Sequence, residues 1–377
     1  MVGRFPPPYD GQALATARCA DVLAPHFDVH RFDTEPPGDT EARTEPRFDL
    51  ARTASFLKMR GALRRSLAAH PDAPVLWHAI SPTLLGHARD VVTTLPAFGR
   101  TRPVVAVLHR ATYSRLAARA LTARSTRRVV RRVALWVVQS EALAAELHPF
   151  VSPEAIVVIP NTVATAVLPS ADDVEQKRTR WAGHNPPDPL RLLFLSNMIR
   201  EKGFWDVLEA LALLAAQGVA VEARFAGAWP NAETEARFAE RVRALQLDGS
   251  VHTLGRIAEP AEIKRLHLWA DVFALPTYHP TETQPIAVLE AMSAGTPVVT
   301  TDREAMRAIG GGTGALRLVP PQSPSAIARA VRDLVRPDAW RLASRAAQSR
   351  FESTFSPGAV AARWAALAER AVGWRDG

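Results

Sequence analysis

The chain has 377 residues, of which 47% are hydrophobic and 22% are charged; this composition is typical of a soluble globular protein with two domains. Its only cysteine, Cys19, leaves no internal disulfide and no cysteine-based metal site, so we expect a reducing compartment. The longest apolar runs are far short of the ~20 residues that span a bilayer, and residues 1–11 lack the apolar core of a secretory signal, so we expect an unexported, cytoplasmic protein.

The net charge of +8 is concentrated in one part of the chain. Residues 52–132 carry 16 basic and 2 acidic side chains, whereas residues 1–51 carry 5 basic and 9 acidic ones. Within the basic block, residues 56–70 and 113–135 interleave arginine with apolar residues, a pattern typical of a helix at a membrane surface. An ordinary arginine-rich surface explains the pattern equally well. An anionic membrane surface contacted through residues 52–132 is therefore a candidate partner, and nucleic acid is disfavoured because no reading module accompanies the charge.

Strand-length apolar runs alternate with helical patterns in the first half of the chain. The strands are predicted at residues 27–32, 75–80, 104–110, 133–140 and 155–161, after a stub at residues 1–3. In the proline loop 5–16, Gly11 precedes a helical pattern and could let backbone amides approach a phosphate, although a structural turn is as good an interpretation. His109 and His78 end two of the strands, where polar residues face the ligand side of a parallel sheet. Most single histidines are nevertheless not catalytic.

The second half repeats the alternation more regularly. Its predicted strands lie at residues 191–197, 221–227, 251–255, 270–276, 296–301 and 315–321. Continuous apolar strands separated by helices predict an α/β protein with two Rossmann-like, doubly wound domains facing across a cleft. We expect a first domain at 1–168, a polar, proline-rich linker at 169–190 and a second domain at 191–355. A helical tail, 356–377, either caps the second domain or crosses back to the first.

Two glutamates eight residues apart stand out in PTETQPIAVLEAMSAGTPVV, residues 280–299. Glu282 lies before a helix predicted to begin at Pro285 and end at Gly295, and Glu290 lies inside it. A helix start offers free N–H groups to a phosphate, and Glu290 lies roughly 7.5 Å further along the axis, about the reach to the ribose of the same nucleotide. Spacing alone fits two surface glutamates equally well, but the apolar neighbours of Glu290 favour a functional role.

Lys202 is the second candidate, because it follows strand 191–197 and precedes a helix. A lysine there can reach a diphosphate as a point charge, although a solvated helix start is the simpler interpretation. The sequence contains no Asp-x-Asp pair, no Walker loop and no Gly-x-Gly-x-x-Gly loop. We therefore expect neither a metal ion nor a resident cofactor.

Together these motifs resemble the family-4 retaining glycosyltransferases of the GT-B fold, of the bacterial group 1 type. The resemblance covers nearly the whole chain and is strongest from about residue 155 to 337, where Glu282-x7-Glu290 resembles the family signature. It implies a nucleotide-diphosphate sugar donor, with Glu290 on the ribose, Glu282 on the sugar and Lys202 at the leaving diphosphate. His109 matches a histidine that contacts the donor sugar, and the tail matches a helix that crosses back to the first domain.

The resemblance implies a defined set of site residues. Glu282, Lys202 and His109 are the catalytic candidates. The donor-binding candidates are Gly11, Asn197, Lys202, Ile257, Glu282, Thr283, Gln284, Pro285 and Glu290. The sequence departs from the family pattern at Asn197, where an arginine is frequent, and at Thr283 and Asp10, where glycines are common. Arg200 could replace the missing arginine.

The expected function is a retaining, metal-independent sugar transfer to a hydroxyl acceptor. The acceptor is expected to be a glycan or a lipid-linked one, in surface polysaccharide or glycolipid biosynthesis, with the protein cytoplasmic or peripheral at the inner face of the membrane. No carboxylate nucleophile is evident, which favours front-face substitution. A glycosyltransferase acting on a soluble small molecule and a catalytically silent nucleotide-sugar-binding protein are the alternatives, the latter favoured by Asn197 and Thr283.

Overall fold

The computed structural model describes residues 1–6, 11–34, 50–78, 80–81, 83–109, 113–183 and 185–373. It divides the chain into a first unit, Met1–Asn161 with Val360–Gly377, and a second unit, Thr162–Ala359. No helix in the described ranges is long and apolar enough to cross a membrane.

The first unit is built on a six-stranded parallel sheet in the order β2-β1-β3-β4-β5-β6. Its strands are β1 Val2–Gly3, β2 Phe32–Asp33, β3 Val75–Trp77, β4 Val104–Leu108, β5 Leu135–Val138 and β6 Ile156–Val158. Its helices are α1 Gly11–Leu23, α2 Leu50–Ala68, α3 Leu84–Arg89, a π-helical segment Asp90–Thr94, α4 Leu95–Ala97, α5 Tyr113–Ala118, α6 Ala120–Arg132 and α7 Glu141–Leu147, with a 3-10 turn at Pro153–Ala155. Strands β4 and β5 are buried along their whole length, because helices cover both faces of the sheet.

The second unit contains a parallel sheet in the order β12-β11-β10-β7-β8-β9. Its strands are β7 Leu190–Leu195, β8 Val221–Ala226, β9 Val251–Gly255, β10 Val272–Leu275, β11 Val298–Thr301 and β12 Leu316–Val319. Its helices are α8 Ala171–Thr179, α9 Phe204–Ala216, α10 Ala232–Ala244, α11 Pro260–Trp269, α12 Ile286–Ser293, α13 Glu304–Gly310, α14 Pro324–Leu334 and α15 Pro337–Thr354, with 3-10 turns at Thr165–Val167 and Arg200–Lys202. Counted within this unit, the order is the 3-2-1-4-5-6 order of dinucleotide-binding folds, and the winding reverses between β7 and β10.

Two elements differ from the sequence prediction. The strand predicted at 27–32 forms only as β2, because this edge strand has a single neighbour and residues 27, 28, 30 and 31 are exposed. The segment 169–190, predicted as a linker, lies within the second unit and contains α8. A capping box between Ser170 and Asp173 starts this helix, and buried Val174 anchors it.

The C-terminal helix, α16 Pro357–Gly373, contributes to the first unit. Its residues Val360, Trp364 and Leu367 belong to an apolar cluster with Cys19 and Leu23 of α1. Of the two predicted alternatives for the tail, the crossing back to the first unit is the one observed.

Candidate functional site

Lys202 and Glu282 come together at the point where the winding of the second sheet reverses. The 3-10 turn Arg200–Lys202 follows β7, and the loop with Glu282 follows β10, the adjacent strand. The ammonium of Lys202 donates a hydrogen bond to Glu282 Oε2, and the side chains are only 17% and 14% exposed. Two residues 80 positions apart thus form one charged pair at the carboxyl edge of a parallel sheet, the usual ligand position in such folds.

Gly203 allows the turn with Lys202 to approach β10 closely. Its φ is +82°, and a Cβ there would lie 2.5 Å from the carbonyl oxygen of Pro276, the residue after β10. An L-residue with a side chain would therefore both strain the backbone and push the two loops apart. This contact explains why a glycine follows Lys202 in the sequence.

Further hydrogen bonds tie the two loops together. The amide of Tyr278 donates to the carbonyl oxygen of Glu201 over 2.8 Å, and the Thr277 hydroxyl lies 3.2 Å from the same oxygen. Thr277 Oγ1 also lies 3.5 Å from Glu282 Oε2. Sequence reasoning missed Thr277, although its place just beyond β10 is the same signal that identified Lys202 and His109.

Glu290 lies inside α12 and is buried, with its side chain 6% exposed. Its Oε2 is 3.7 Å from His267 Nε2 on α11, which is longer than a hydrogen bond. Burial holds the pKa of His267 below its usual range, against the opposing effect of Glu290, so His267 is neutral at pH 7. Nothing in the sequence indicated His267, because its proximity to Glu290 arises only from the packing of α11 against α12.

The other residues predicted in the second unit occupy the same edge in different ways. Helix α12 begins at Ile286, one position later than predicted, so Pro285 is the residue before it. No side-chain hydrogen bond caps the start of this helix. Asn197 is exposed just beyond β7, Ile257 is half-buried beyond β9, Gln284 is buried and Thr283 is half-buried. Burial raises the pKa of Asp206 in α9, and the positive charge of Arg200 opposes this rise.

In the first unit, His109 follows β4 and is half-buried. Its Nε2 lies 3.1 Å from Nδ1 of His78, and the Gln139 amide nitrogen lies 3.0 Å from its Nδ1. Gln139, which follows β5, was missed in the sequence although it has the same position relative to its strand. Gly11 is the first residue of α1, and residues 7–10 of the proline loop lie outside the described residues.

The described part of the chain contains no group of three or more His, Cys, Asp or Glu side chains arranged to hold a metal ion. The expectation of a metal-independent reaction stays a prediction.

Two family models match the chain. One, described as "Glycosyltransferase Family 4", matches residues 9–167, and the other, "Glycosyl transferases group 1", matches residues 189–336. The chain is 33% identical over 120 residues to WcaL of Salmonella typhimurium, named as a colanic acid biosynthesis glycosyltransferase, with 31% of this chain and 29% of that protein covered. It is 30% identical over 118 residues to the amylovoran biosynthesis glycosyltransferase AmsK of Erwinia amylovora, covering 30% and 28%. The matches thus span less than a third of either curated relative.

A solved structure similar over nearly its whole length is that of Anabaena HepE in complex with UDP and glucose. The TM-score is 0.68 at 17% identity, and 98% of each chain is covered. This similarity and the two doubly wound sheets confirm the predicted GT-B fold class. With both halves matched by its family models, the chain belongs to the family-4, group 1 glycosyltransferases.

Proposed function

We propose that the protein transfers a sugar from a nucleotide-diphosphate sugar to a hydroxyl group of an acceptor, with retention of the anomeric configuration. The observation that carries the proposal is the Lys202–Glu282 pair at the winding reversal of the second sheet. A cation for the leaving diphosphate and a carboxylate for sugar hydroxyls lie side by side there.

The pair also suggests how the charges at this edge are balanced. The Lys202 ammonium is bonded to Glu282. A bound diphosphate competes for the ammonium and leaves the Glu282 oxygens to accept from the sugar hydroxyls. Both charges are then used by the donor, so no buried charge is left without a partner.

The proposed reaction is a front-face substitution. The bond between the anomeric carbon and the diphosphate oxygen breaks, the acceptor oxygen bonds to that carbon from the same side, and the acceptor proton passes to the leaving diphosphate. Lys202 stabilises the negative charge that develops on that group. No metal ion has a part in this scheme.

We propose the ribose as the ligand of Glu290 and a glycan or lipid-linked acceptor in surface polysaccharide or glycolipid biosynthesis. The names of WcaL and AmsK, which refer to colanic acid and amylovoran biosynthesis, support a polysaccharide context. Because Glu290 is buried beside His267, the ribose hydroxyls have to enter a confined space to reach its carboxylate.

A donor panel tests the proposal. We expect the protein to release nucleoside diphosphate from one nucleotide sugar of the panel. E282A should reduce that release by at least ~100-fold, because it removes a contact to the transition state. E209A is the matched control, because Glu209 forms an ion pair with Arg241 on the surface of the same unit. Near-normal turnover by E282A contradicts the assigned role. Nucleotide binding without turnover of any donor favours the silent binding protein.

We further propose that the basic block contacts an anionic membrane surface. Helix α6 exposes Arg124, Arg127 and Arg128, and Leu121 beside them is 88% exposed. An exposed leucine among arginines suits a helix that inserts apolar side chains between lipids while its cations meet the headgroups.

Sedimentation with vesicles tests this surface. We expect binding to vesicles that contain phosphatidylglycerol, weakened by salt, and little binding to phosphatidylcholine alone. R127E/R128E should abolish it, whereas R237E/R243E, the same charge change on exposed residues of α10, should not. Equal losses in both variants, or no binding at low salt, would favour a soluble acceptor.

A further inference from the structure

The first unit contains an apolar cavity of about 290 Å³, bounded by its sheet and by helices α1, α2 and α16. Each of these elements contributes aliphatic or aromatic side chains to its wall, among them Leu23, Leu63, Leu67, Val105, Trp364 and Leu367. The cavity lies at the amino edge of the sheet, because its lining includes the first residues of three strands, Val2, Phe32 and Val75. It is therefore formed by one unit alone and lies at the edge opposite to His109.

The cavity follows from the lengths of the elements around it. Strands β1 and β2 have two residues each and span about 7 Å, whereas α2 has 19 residues and is about 28 Å long. The helix continues past these short strands, and its Leu63 and Leu67 face the space at their amino ends.

Arg102 prevents the end of α2 from closing this space. Its guanidinium donates to three carbonyl oxygens at the end of the helix and in the turn after it, those of Leu67, His70 and Ala73, over 2.9, 2.6 and 2.6 Å. Beside this turn the rings of His30 and His70 stack with their centroids 3.5 Å apart. Protein cores otherwise leave few spaces larger than a water molecule. A cavity with a fixed wall is therefore a candidate binding site.

The lining determines which ligands fit. Its polar side chains are exposed or half-buried and thus form the rim, namely those of Asp28, His30, Ser66 and His70, whereas the leucines, Val105 and Trp364 further inside are apolar. An apolar cavity of ~150 Å³ binds benzene and stays dry, because water finds no hydrogen-bonding partner in it. About 290 Å³ holds roughly a dozen carbon atoms at the same packing. The shape suits an alkyl chain whose polar head stays at the rim.

Helix α2 supplies positive charge beside the apolar wall. Its cavity-lining residues recur at helical spacing: Leu63, Ser66 and Leu67. At 100° per residue, Arg60 and Arg64 lie on the flank of this face, and both are at least partly exposed. The acidic residue of the rim, Asp28, has its carboxylate 3.3 Å from His30 Nε2. The arginine-rich pattern of residues 56–70 thus places apolar side chains in the cavity and cations next to it, which favours an anionic head group.

We propose that this cavity binds one acyl chain of an anionic lipid, with the head group beside Arg60 and Arg64. The proposal does not depend on the proposed sugar transfer, and its tests need no sugar donor. Because Trp364 and Leu367 form part of the wall, the bound chain also packs against α16, the helix that returns to the first unit from the end of the second.

A series of n-alkyl phosphates tests the cavity by titration calorimetry, each used below the concentration at which it forms micelles. Each methylene group that enters should raise the affinity about fourfold, as for transfer of one CH₂ from water to apolar surroundings. The affinity should level off at roughly a dozen carbons, when the chain fills the cavity. An absence of binding, an affinity independent of chain length, or an affinity that keeps rising beyond that length would overturn the proposal.

Two valines of β4 provide a matched pair of variants. Val105 and Val107 point to the same face of the sheet and belong to the same apolar cluster, but only Val105 lines the cavity. V105F should place its ring in the cavity and reduce the affinity for dodecyl phosphate about tenfold or more, the effect of about two displaced methylene groups, with an unchanged unfolding midpoint. V107F should lower that midpoint, because it overpacks a filled region. Undiminished binding by V105F, or equal destabilisation by both changes, would overturn the proposal.

A probe of opposite charge tests the head group. Dodecyltrimethylammonium has the same chain as dodecyl phosphate and should bind the wild-type protein about fivefold more weakly, since the cations of α2 lie at the surface. R60E/R64E should reverse this preference, and R237E/R243E, the same change on exposed residues of α10, should leave it as it is. Equal affinities of the two probes for the wild-type protein, or an unchanged preference in R60E/R64E, would overturn the assignment of an anionic lipid.

Discussion

At the scale of single residues, the candidate site depends on small backbone and charge details around Lys202. Its neighbour Gly203 combines a left-handed conformation with a close approach to the Pro276 carbonyl oxygen. Gly218 at the other end of α9 has a similar φ, +75°, but a Cβ there would meet nothing within 4 Å. A side chain at Gly218 would therefore strain only the left-handed backbone, whereas a side chain at Gly203 would also disturb the contact with Pro276.

We predict that G203A destabilises the second unit and abolishes donor turnover, because it displaces the turn that carries Lys202. G218A should cost about 1–2 kcal/mol, the price of a left-handed L-residue, with turnover unchanged. Denaturant unfolding and nucleoside diphosphate release measure the two effects. If the two variants behave alike, the contact with Pro276 does not position Lys202.

The sequence indicated Lys202 and His109 because each lies at the end of a predicted strand, and parallel strands place their carboxyl ends together. It indicated Glu282 because this residue precedes a predicted helix start and lies eight residues before Glu290. It could not indicate that Lys202 bonds directly to Glu282, or that Glu290 lies against His267. Those contacts join residues that lie 80 and 23 positions apart, and they depend on how the chain between them folds. Local patterns carry no information about that packing.

At the scale of elements, α8 shows why a polar segment was misread as a linker. The buried residues of α8 are Val174 and, one turn later, Lys177. A single apolar residue therefore faces the core where two would be expected. The ammonium of Lys177 donates to the carbonyl oxygen of His267 over 2.7 Å and to the Thr296 hydroxyl, so a buried cation takes the place of an apolar anchor. Helical periodicity counts apolar residues and misses such an anchor.

We predict that Lys177 makes the stability of the second unit depend on pH. Burial lowers the pKa of Lys177 from 10.5 to about 7, with Asp271 opposing the shift. Between these values the unfolded chain binds a proton that the folded chain does not, so the free energy of unfolding rises with pH, by about 2 kcal/mol between pH 7 and 9. K177M should be less stable overall, because it leaves buried oxygens without a donor, and should lose this rise.

Fluorescence-detected unfolding at several pH values measures the effect, since Trp181 and Trp340 are buried and stacked 4.6 Å apart in this unit. Parallel pH dependence of the wild-type protein and K177M would contradict the prediction. A steeper rise in the variant would contradict it as well.

At the scale of the whole molecule, each unit has its own core. The large apolar cluster of the second unit runs from Val163 to Phe355, and the clusters of the first unit draw on residues 2–159 and on α16. The alternation of strands and helices was sufficient to predict two such units. The unit boundary at Asn161, eight residues before the predicted linker, was not predictable, because it depends on how the residues that follow it pack, beginning with Val163 in the apolar cluster of the second unit.

We predict that a nucleoside diphosphate stabilises the second unit selectively. The proposed diphosphate and ribose ligands, Lys202 and Glu290, both lie there. The nucleoside diphosphate of the donor that the panel identifies, at a hundred times its Kd, should therefore raise the free energy of unfolding of that unit by about 2.7 kcal/mol. Hydrogen exchange resolved by peptide measures this for each unit in the same experiment. Protection should rise across the core strands β7 and β10 and stay unchanged in β4 and β5. K202A should weaken the effect, and the corresponding nucleoside, which lacks the diphosphate, should give little of it. Equal protection of both units, or protection confined to the first, would place the nucleotide elsewhere than the Lys202–Glu282 edge.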